Sequence, residues 1–255
     1  MSPSEPLGKV SHVLFDMDGL LLDTEGMYTV VQQRLAARFG KEFTWALKAK
    51  MMGKKAIEAA RILVAELELE GKTTPEQFLT DREEALDEMF PTAQLMPGAE
   101  RLLRHLAAHG IPICLATSSH LRHYTLKTTQ HGELFSLFDH RVTGDQISNG
   151  KPAPDIFLHA ASMWQPAPSP SSCLVFEDAP SGVAAAKAAG MSCVMVPDPN
   201  LDPALCQEAD QVLRSLEHFR PEQWGLPPFP AADAAGACAA ADSTAEAAAQ
   251  QQAAS

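Results

Sequence analysis

Short apolar runs alternate along the chain with segments whose apolar residues return every three or four positions. His12-Val13-Leu14-Phe15 is the first run and it stops at Asp16; Ile111 to Ala116, Cys173 to Phe176 and Cys193 to Val196 follow. Runs of this length, apolar at consecutive positions and bounded by polar or turn residues, read as strands buried on both faces. Between them, Ala99, Leu102, Leu103 and Leu106 fall at helical spacing with Gly110 as the stop. Val183 to Ala189 repeats that pattern and is closed by Gly190. Strands alternating with helices predict an α/β fold, a Rossmann-like parallel sheet core with helices on both faces.

One stretch breaks the alternation. Between Glu25 and Ala93 the periodicity is helical throughout: Met27, Val30, Val31 and Leu35 share a face, as do Ile57, Ala60, Val64 and Leu67. Thr74-Pro75 has the composition of a helix start, a hydroxyl N-cap followed by proline in the first turn. The expected organisation is an α/β core from residues 1–24 and 94–230 with a small helical cap domain over 25–93. The hinges are expected at Asp23-Thr24-Glu25 and Leu95-Met96-Pro97. Residues 231–255 are dominated by Ala, Gln, Ser and Asp without Lys or Arg, too little to bury for a packed domain, and disorder or a frayed helix is expected there.

Composition narrows the classes of function. With 20 Lys and Arg against 32 Asp and Glu the net charge is −12, and no basic stripe of the kind nucleic acid requires is present. Attraction for an anionic substrate must therefore be local. The five cysteines, an odd count without CxxC spacing, read as reduced thiols in apolar surroundings. Residues 1–9 lack the apolar core of a signal peptide and no apolar run is long enough to span a bilayer, so no membrane partner and a cytoplasmic location are expected.

Four places carry chemistry. Asp16-Met17-Asp18 puts two carboxylates around one residue at a strand end, where ligands of open α/β sheets bind. Acids that close repel unless a proton or cation intervenes, and Mg²⁺ prefers such hard oxygen donors. At Thr117-Ser118-Ser119 a hydroxyl cluster ends another apolar run, suited either to phosphate binding or to capping a helix. Lys151, held between Gly150 and Pro152, can neutralise a transferring phosphoryl group or serve as a loop lysine. Glu177-Asp178 ends a third strand, and Asp178 can complete a magnesium shell or favour the following helix N-terminus. Acid pair, hydroxyl, lysine and acid pair thus succeed one another at strand or loop ends.

In that order and chemistry the chain resembles the haloacid-dehalogenase-like hydrolase superfamily from about Ser11 to Phe229. The resemblance implies Asp16 as nucleophile, Asp18 as general acid/base, Thr117 with Ser118 as phosphate-binding hydroxyls and Lys151 as charge-neutralising lysine. It also implies Asp16, Asp18, Asp178 and Glu177 around a magnesium ion, Asp18 by its backbone carbonyl. Lys48-Ala49-Lys50-Met51-Met52-Gly53, Phe176 to Gly182 and Glu222 to Phe229 are similar to plant-type glycerol-3-phosphate phosphatases, whereas Ser118-Ser119 is similar to the pseudouridine-5′-phosphatase group. The expected reaction is hydrolysis of a small phosphomonoester, best matched by glycerol-3-phosphate. Pseudouridine-5′-phosphate or a sugar phosphate is the alternative, and phosphosugar mutation a more distant one. Met52, Lys54 and Lys55 are cap candidates for contacting the organic part of the substrate. The nine histidines show no HExxH spacing; His120 and His123 are expected on a helix surface, and no zinc site is expected.

Overall fold

The apolar runs are strands. The computed structural model describes residue 7, residues 9–51 and residues 56–230. Met52, Lys54 and Lys55 and the alanine-rich segment 231–255 lie outside the described residues. Strands β1 (His12–Phe15), β2 (Ile113–Ala116), β3 (His140–Val142), β4 (Cys173–Glu177), β5 (Ser192–Met195) and β6 (Gln211–Val212) form one parallel sheet in the order β3-β2-β1-β4-β5-β6. The two edge strands escaped the apolar pattern because an edge is covered less completely: β3 reads His-Arg-Val and β6 only Gln-Val.

The helices in chain order are α1 (Thr24–Ala37), α2 (Trp45–Met51), α3 (Ala56–Glu66), α4 (Pro75–Met89), α5 (Ala99–Ala108), α6 (Leu121–Lys127), α7 (Gly132–Phe135), α8 (Asp155–Ser162) and α9 (Pro180–Ala188). Side chains alternate across a strand, so the sheet feeds two separate apolar layers. Val13, Phe15, Leu115 and Phe176 pack with Leu102, Leu103 and Leu106 of α5 and with Trp224. Leu14, Cys114, Val175 and Met195 pack on the other side with Phe157 of α8 and Val183 of α9. Trp224 is fully buried yet satisfied, its indole N–H donating to Gln211 Oε1 at 2.9 Å. The four described cysteines are all free and buried, and burial pushes the Cys173 thiol up to about 11, which leaves it unreactive.

Helices α1 to α4 have a third apolar cluster of their own, built on Val31, Leu35, Leu63, Val64, Phe78, Leu86 and Phe90. The stripes differ from the sequence pattern at their margins. Val30 is 41% exposed, not part of the buried face, and the α3 stripe centres on Ala59, Ala60, Leu63 and Val64 with Ile57 half-buried. Thr74 does cap α4, its hydroxyl accepting from the Gln77 N–H at 3.1 Å with Pro75 next in line. The chain enters and leaves this helical insert side by side: Leu22 and Leu95 form an antiparallel bridge, the Asp23 N–H donates to the Gln94 carbonyl at 2.9 Å, and the Met96 N–H donates to the Leu21 carbonyl at 2.9 Å. Among the described residues no helix is long and apolar enough to cross a membrane.

Candidate active site

The strand order reverses at β1, whose neighbours are β2 and β4; ligands of open α/β sheets bind at such a switch point, outside the carboxyl ends of the strands. The register puts Phe15 level with Leu115 and with Phe176. Asp16, Ala116 and Glu177 therefore emerge at one height, with Thr117 and Asp178 one residue beyond.

Asp16, Glu177 and Asp178 each bring a carboxylate oxygen within 4.8 Å of the others. Lys151 Nζ joins two of them, 2.6 Å from Asp16 Oδ1 and 2.5 Å from Glu177 Oε1, and also donates to the Ala116 carbonyl at 3.2 Å. Both oxygens of Glu177 are engaged, since Oε2 accepts from the N–H groups of Asp178 and Ala179 at 3.1 and 3.3 Å. Asp178 accepts no hydrogen bond among the described residues. Burial pushes the Asp16 carboxyl up to about 7; Lys151 pulls it down, while Glu177 and Asp18 push it further up. Burial also raises Asp178 well above the carboxylate range, helped by Glu177, Asp16 and Glu25. Burial works against the charge on Lys151, but Asp16 and Glu177 outweigh it and the ammonium is held above its ordinary value.

Three clustered acids, two of them buried, against one lysine leave an excess of negative charge that a divalent cation removes. The donor set is all oxygen, which suits Mg²⁺. Glu177 is better placed as a brace for Lys151 than as a ligand, leaving Asp16 and Asp178 as the available carboxylates. Two glycines make the crowding possible. Gly19, at φ +78°, lies where a Cβ would overlap the Asp178 carboxylate, and a Cβ at Gly182 would overlap the carboxylate of Glu177. Within a helix, Gly→Ala normally adds up to about 1 kcal/mol of stability. At Gly182 the sign reverses: Gly182→Ala is expected to destabilise by about 1–3 kcal/mol, because overpacking forces Glu177 off Lys151. Urea unfolding at matched m-values measures this; a stability gain would show that Glu177 is free to move.

Asp18 belongs to a second cluster. Its Oδ1 accepts from Thr24 Oγ1 and from Lys127 Nζ, each at 2.6 Å, and its Oδ2 accepts from Ser119 Oγ at 2.7 Å and Thr117 Oγ1 at 3.4 Å. With its side chain so tied, only the Asp18 backbone is left for a cation. Burial alone would raise this carboxyl, but Lys127, Thr24 and Ser119 together hold it below its ordinary value. Thr117 is fully buried and is not the helix cap; His120 caps α6, while Thr117 Oγ1 accepts the Ser119 N–H at 3.1 Å. Ser118, the hydroxyl singled out beside Thr117, is exposed and makes no hydrogen bond to Asp18; Ser119 does so instead.

Thr24 and above all Lys127 were missed from the sequence, and Ser119 was read only as one member of the hydroxyl cluster. Lys127 closes α6, where a lysine reads as an ordinary complement to the helix dipole. It is 1% exposed and lies 4.4 Å over the Phe90 ring, with Tyr28 Oη at 3.3 Å. His123, expected at a surface, is buried, and burial lowers its imidazole from its ordinary value. Between the sheet and the helical insert opens a cleft of about 640 Å³, bounded by Asp18, Tyr28, Gln32, Lys48, Ser118 and Ser119 among others. Lys48 at its edge reaches Thr29 Oγ1 at 3.1 Å and Glu25 Oε2 at 3.4 Å.

A family model described as haloacid dehalogenase-like hydrolase matches residues 10–190. Two Arabidopsis thaliana proteins, (DL)-glycerol-3-phosphatase 1, mitochondrial, and (DL)-glycerol-3-phosphatase 2, are 58% and 59% identical over 225 residues, which is 87% of this chain and 76% and 94% of theirs. A Drosophila melanogaster protein named "Probable pseudouridine-5'-phosphatase" is 51% identical over 226 residues, 88% of this chain and 97% of its own. Among solved structures, a HAD family hydrolase from Deinococcus radiodurans R1 with bound phosphate and sodium superposes with a TM-score of 0.72 at 28% identity, covering 87% of this chain and 99% of its own.

Proposed function

The chain belongs to the haloacid dehalogenase-like hydrolase family, and from that premise we propose that it is a magnesium-dependent phosphatase that hydrolyses glycerol-3-phosphate through a phosphorylated Asp16. The observation that carries this reading is Lys151, whose single ammonium group touches both Asp16 and Glu177 beside the free carboxylate of Asp178. That arrangement gives one reactive oxygen, one fixed positive charge and a pair of hard carboxylate donors in one place.

Asp16 attacks phosphorus in line with the ester oxygen; the P–O bond to the alcohol breaks and an aspartyl-phosphate forms. Asp18 gives the leaving alkoxide its proton, then takes one from the water that attacks phosphorus, releasing Asp16 and inorganic phosphate. In the free enzyme Asp18 is held ionised by Lys127, the form needed for the second half. A phosphate dianion arriving beside it raises its carboxyl and favours the protonated form needed for the first. Lys151 and Thr117 offset the charge on the non-bridging oxygens. Asp16 and Asp178, with the Asp18 backbone carbonyl, would hold Mg²⁺, which when bound reduces the repulsion between carboxylate and phosphate.

Residues 25–93 act in this reading as a cap that closes on the core formed by 1–24 and 94–230 and restricts water. Its contribution to selectivity is supported by Gln32, whose Oε1 is buried without a hydrogen bond and lines the cleft. An unfilled acceptor there favours a substrate rich in hydroxyl groups, since leaving it unmade costs about 1–3 kcal/mol. The similarity to the glycerol-3-phosphatases selects glycerol-3-phosphate; the similarity to the Drosophila protein makes pseudouridine-5′-phosphate the second reading. The test is phosphate release under multiple turnover from these two, 2-deoxyglucose-6-phosphate and β-glucose-1-phosphate. Glycerol-3-phosphate is expected to give the highest kcat/KM, with activity lost to a chelator and restored by magnesium. Isomerisation of β-glucose-1-phosphate without phosphate release would overturn hydrolysis in favour of a mutase.

A further inference from the structure

The proposed hydrolysis uses neither His120, the N-cap of α6, nor His123 on that helix, nor the acids that face them from α4. Glu83, His120 and His123 bring one ligand atom each within 4.8 Å of one another. His123 Nε2 is buried and stands 2.9 Å from Glu83 Oε2, yet makes no hydrogen bond with it. Asp87 Oδ1, 3.7 Å from the same nitrogen, is likewise buried without a hydrogen bond. The other oxygen of each acid is taken: Arg82 holds Glu83 Oε1 at 2.8 Å, and Arg122 holds Asp87 Oδ2. Each acid is thus clamped by an arginine on one side and presents its second oxygen to the imidazole. His120 Nδ1 accepts the His123 backbone N–H at 3.4 Å, which leaves its Nε2 open.

A plain His123–Glu83 ion pair would explain one short contact. It does not explain a buried nitrogen and a second buried carboxylate oxygen that converge on one point without bonding. We propose that Glu83, His120 and His123 form a second metal site, for a divalent transition cation of the zinc class, and that its occupation pins the helical insert to the sheet domain. Two imidazoles and a carboxylate are a borderline donor set that suits Zn²⁺ and disfavours Mg²⁺, the reverse of the all-carboxylate cluster around Asp16. Metal–ligand bonds of about 2.0–2.2 Å put tetrahedral ligand atoms roughly 3.3–3.5 Å apart, a shift of a few tenths of an ångström from the present His123–Glu83 separation. Asp87 Oδ1 faces the same nitrogen and adds negative charge beside the cation. HExxH spacing is absent because the third ligand comes from a different element, α4, across the seam between insert and sheet domain. The site also borders the cleft that Asp18 and Ser119 line.

The test is calorimetric titration of the full chain with ZnCl₂ in saturating magnesium. The wild type is expected to bind one equivalent of zinc, with hydrogen exchange slowed in α4 and α6. Glu83→Gln and His123→Asn are each expected to weaken binding by at least about tenfold and to remove the exchange protection. Glu83 is partly exposed, so its variant tests the site even if His123→Asn fails to fold. Three outcomes overturn the proposal: no zinc uptake in magnesium, uptake that displaces magnesium one for one, or uptake unchanged in Glu83→Gln.

Discussion

Asp16→Asn is expected to lower kcat by at least about 10³-fold while the folded state becomes no less stable. A nucleophile that forms a covalent intermediate has no substitute in its site, and removing one in a comparable enzyme type costs up to about 10⁶-fold. The stability half of the expectation comes from crowding. Burial and two neighbouring acids push the Asp16 carboxyl up to about 7 against the pull of Lys151, so its charge is a strain on the metal-free fold. Asn keeps the shape and removes that strain, while Lys151 retains Glu177 and the Ala116 carbonyl. Acid-quenched wild-type protein should carry label from a phosphate-labelled substrate, and the variant none. Near-normal turnover in Asp16→Asn would reject covalent catalysis.

Much of this site could be read before any fold was known, for a reason that lies in parallel sheets. Asp16, Thr117 and Glu177 each follow an apolar run, and in-register parallel strands carry whatever follows such runs to one edge. Lys151 needed only the convergence of those edges. Two members of the second cluster, Thr24 and Lys127, were illegible because they come from helices. Thr24 looks like a helix start and Lys127 like a helix end; their meeting on Asp18 depends on how the insert packs against α6, for which no local periodicity speaks. Ser118 and Ser119 are neighbours in the chain but point differently, so a hydroxyl cluster in the sequence did not say which one faces the acid. The short edge strands were lost to the same limit: two or three half-polar residues carry too little pattern.

Lys127→Met should have the second largest effect. Lys127 sits in an aromatic cage with Asp18 as its counter-charge, the carboxylate being 20% exposed. Removing one partner of a buried pair leaves the other unpaired, at a cost of about 3 kcal/mol. In the wild type, burial tends to raise Asp18, but Lys127 and the hydroxyl donors depress it. A depressed carboxyl adds stability that is present above the unfolded value and lost as pH falls through the folded one. Without Lys127 only burial and the hydroxyls remain, so the deficit of the variant should be greatest near neutral pH and shrink below about pH 4. Urea unfolding across that range measures it, and the acid limb of kcat should move to higher pH. The double variant Lys127→Met, Asp18→Asn should regain most of the stability and none of the activity. A deficit that persists in the double variant would mean that Lys127 contributes by packing alone.

The paired backbone at Leu22 and Leu95 has an implication for how such a molecule diversifies. Because the insert's two connections are zipped together, its ends lie as close as those of a hairpin loop, and the chain between them can lengthen, shorten or be exchanged without rerouting the strands on either side. The same ribbon ties both ends of the insert to the sheet domain at one place instead of at two separate ones. The acid cluster on the sheet edge and the helices that face it thus lie in parts of the chain that can change independently.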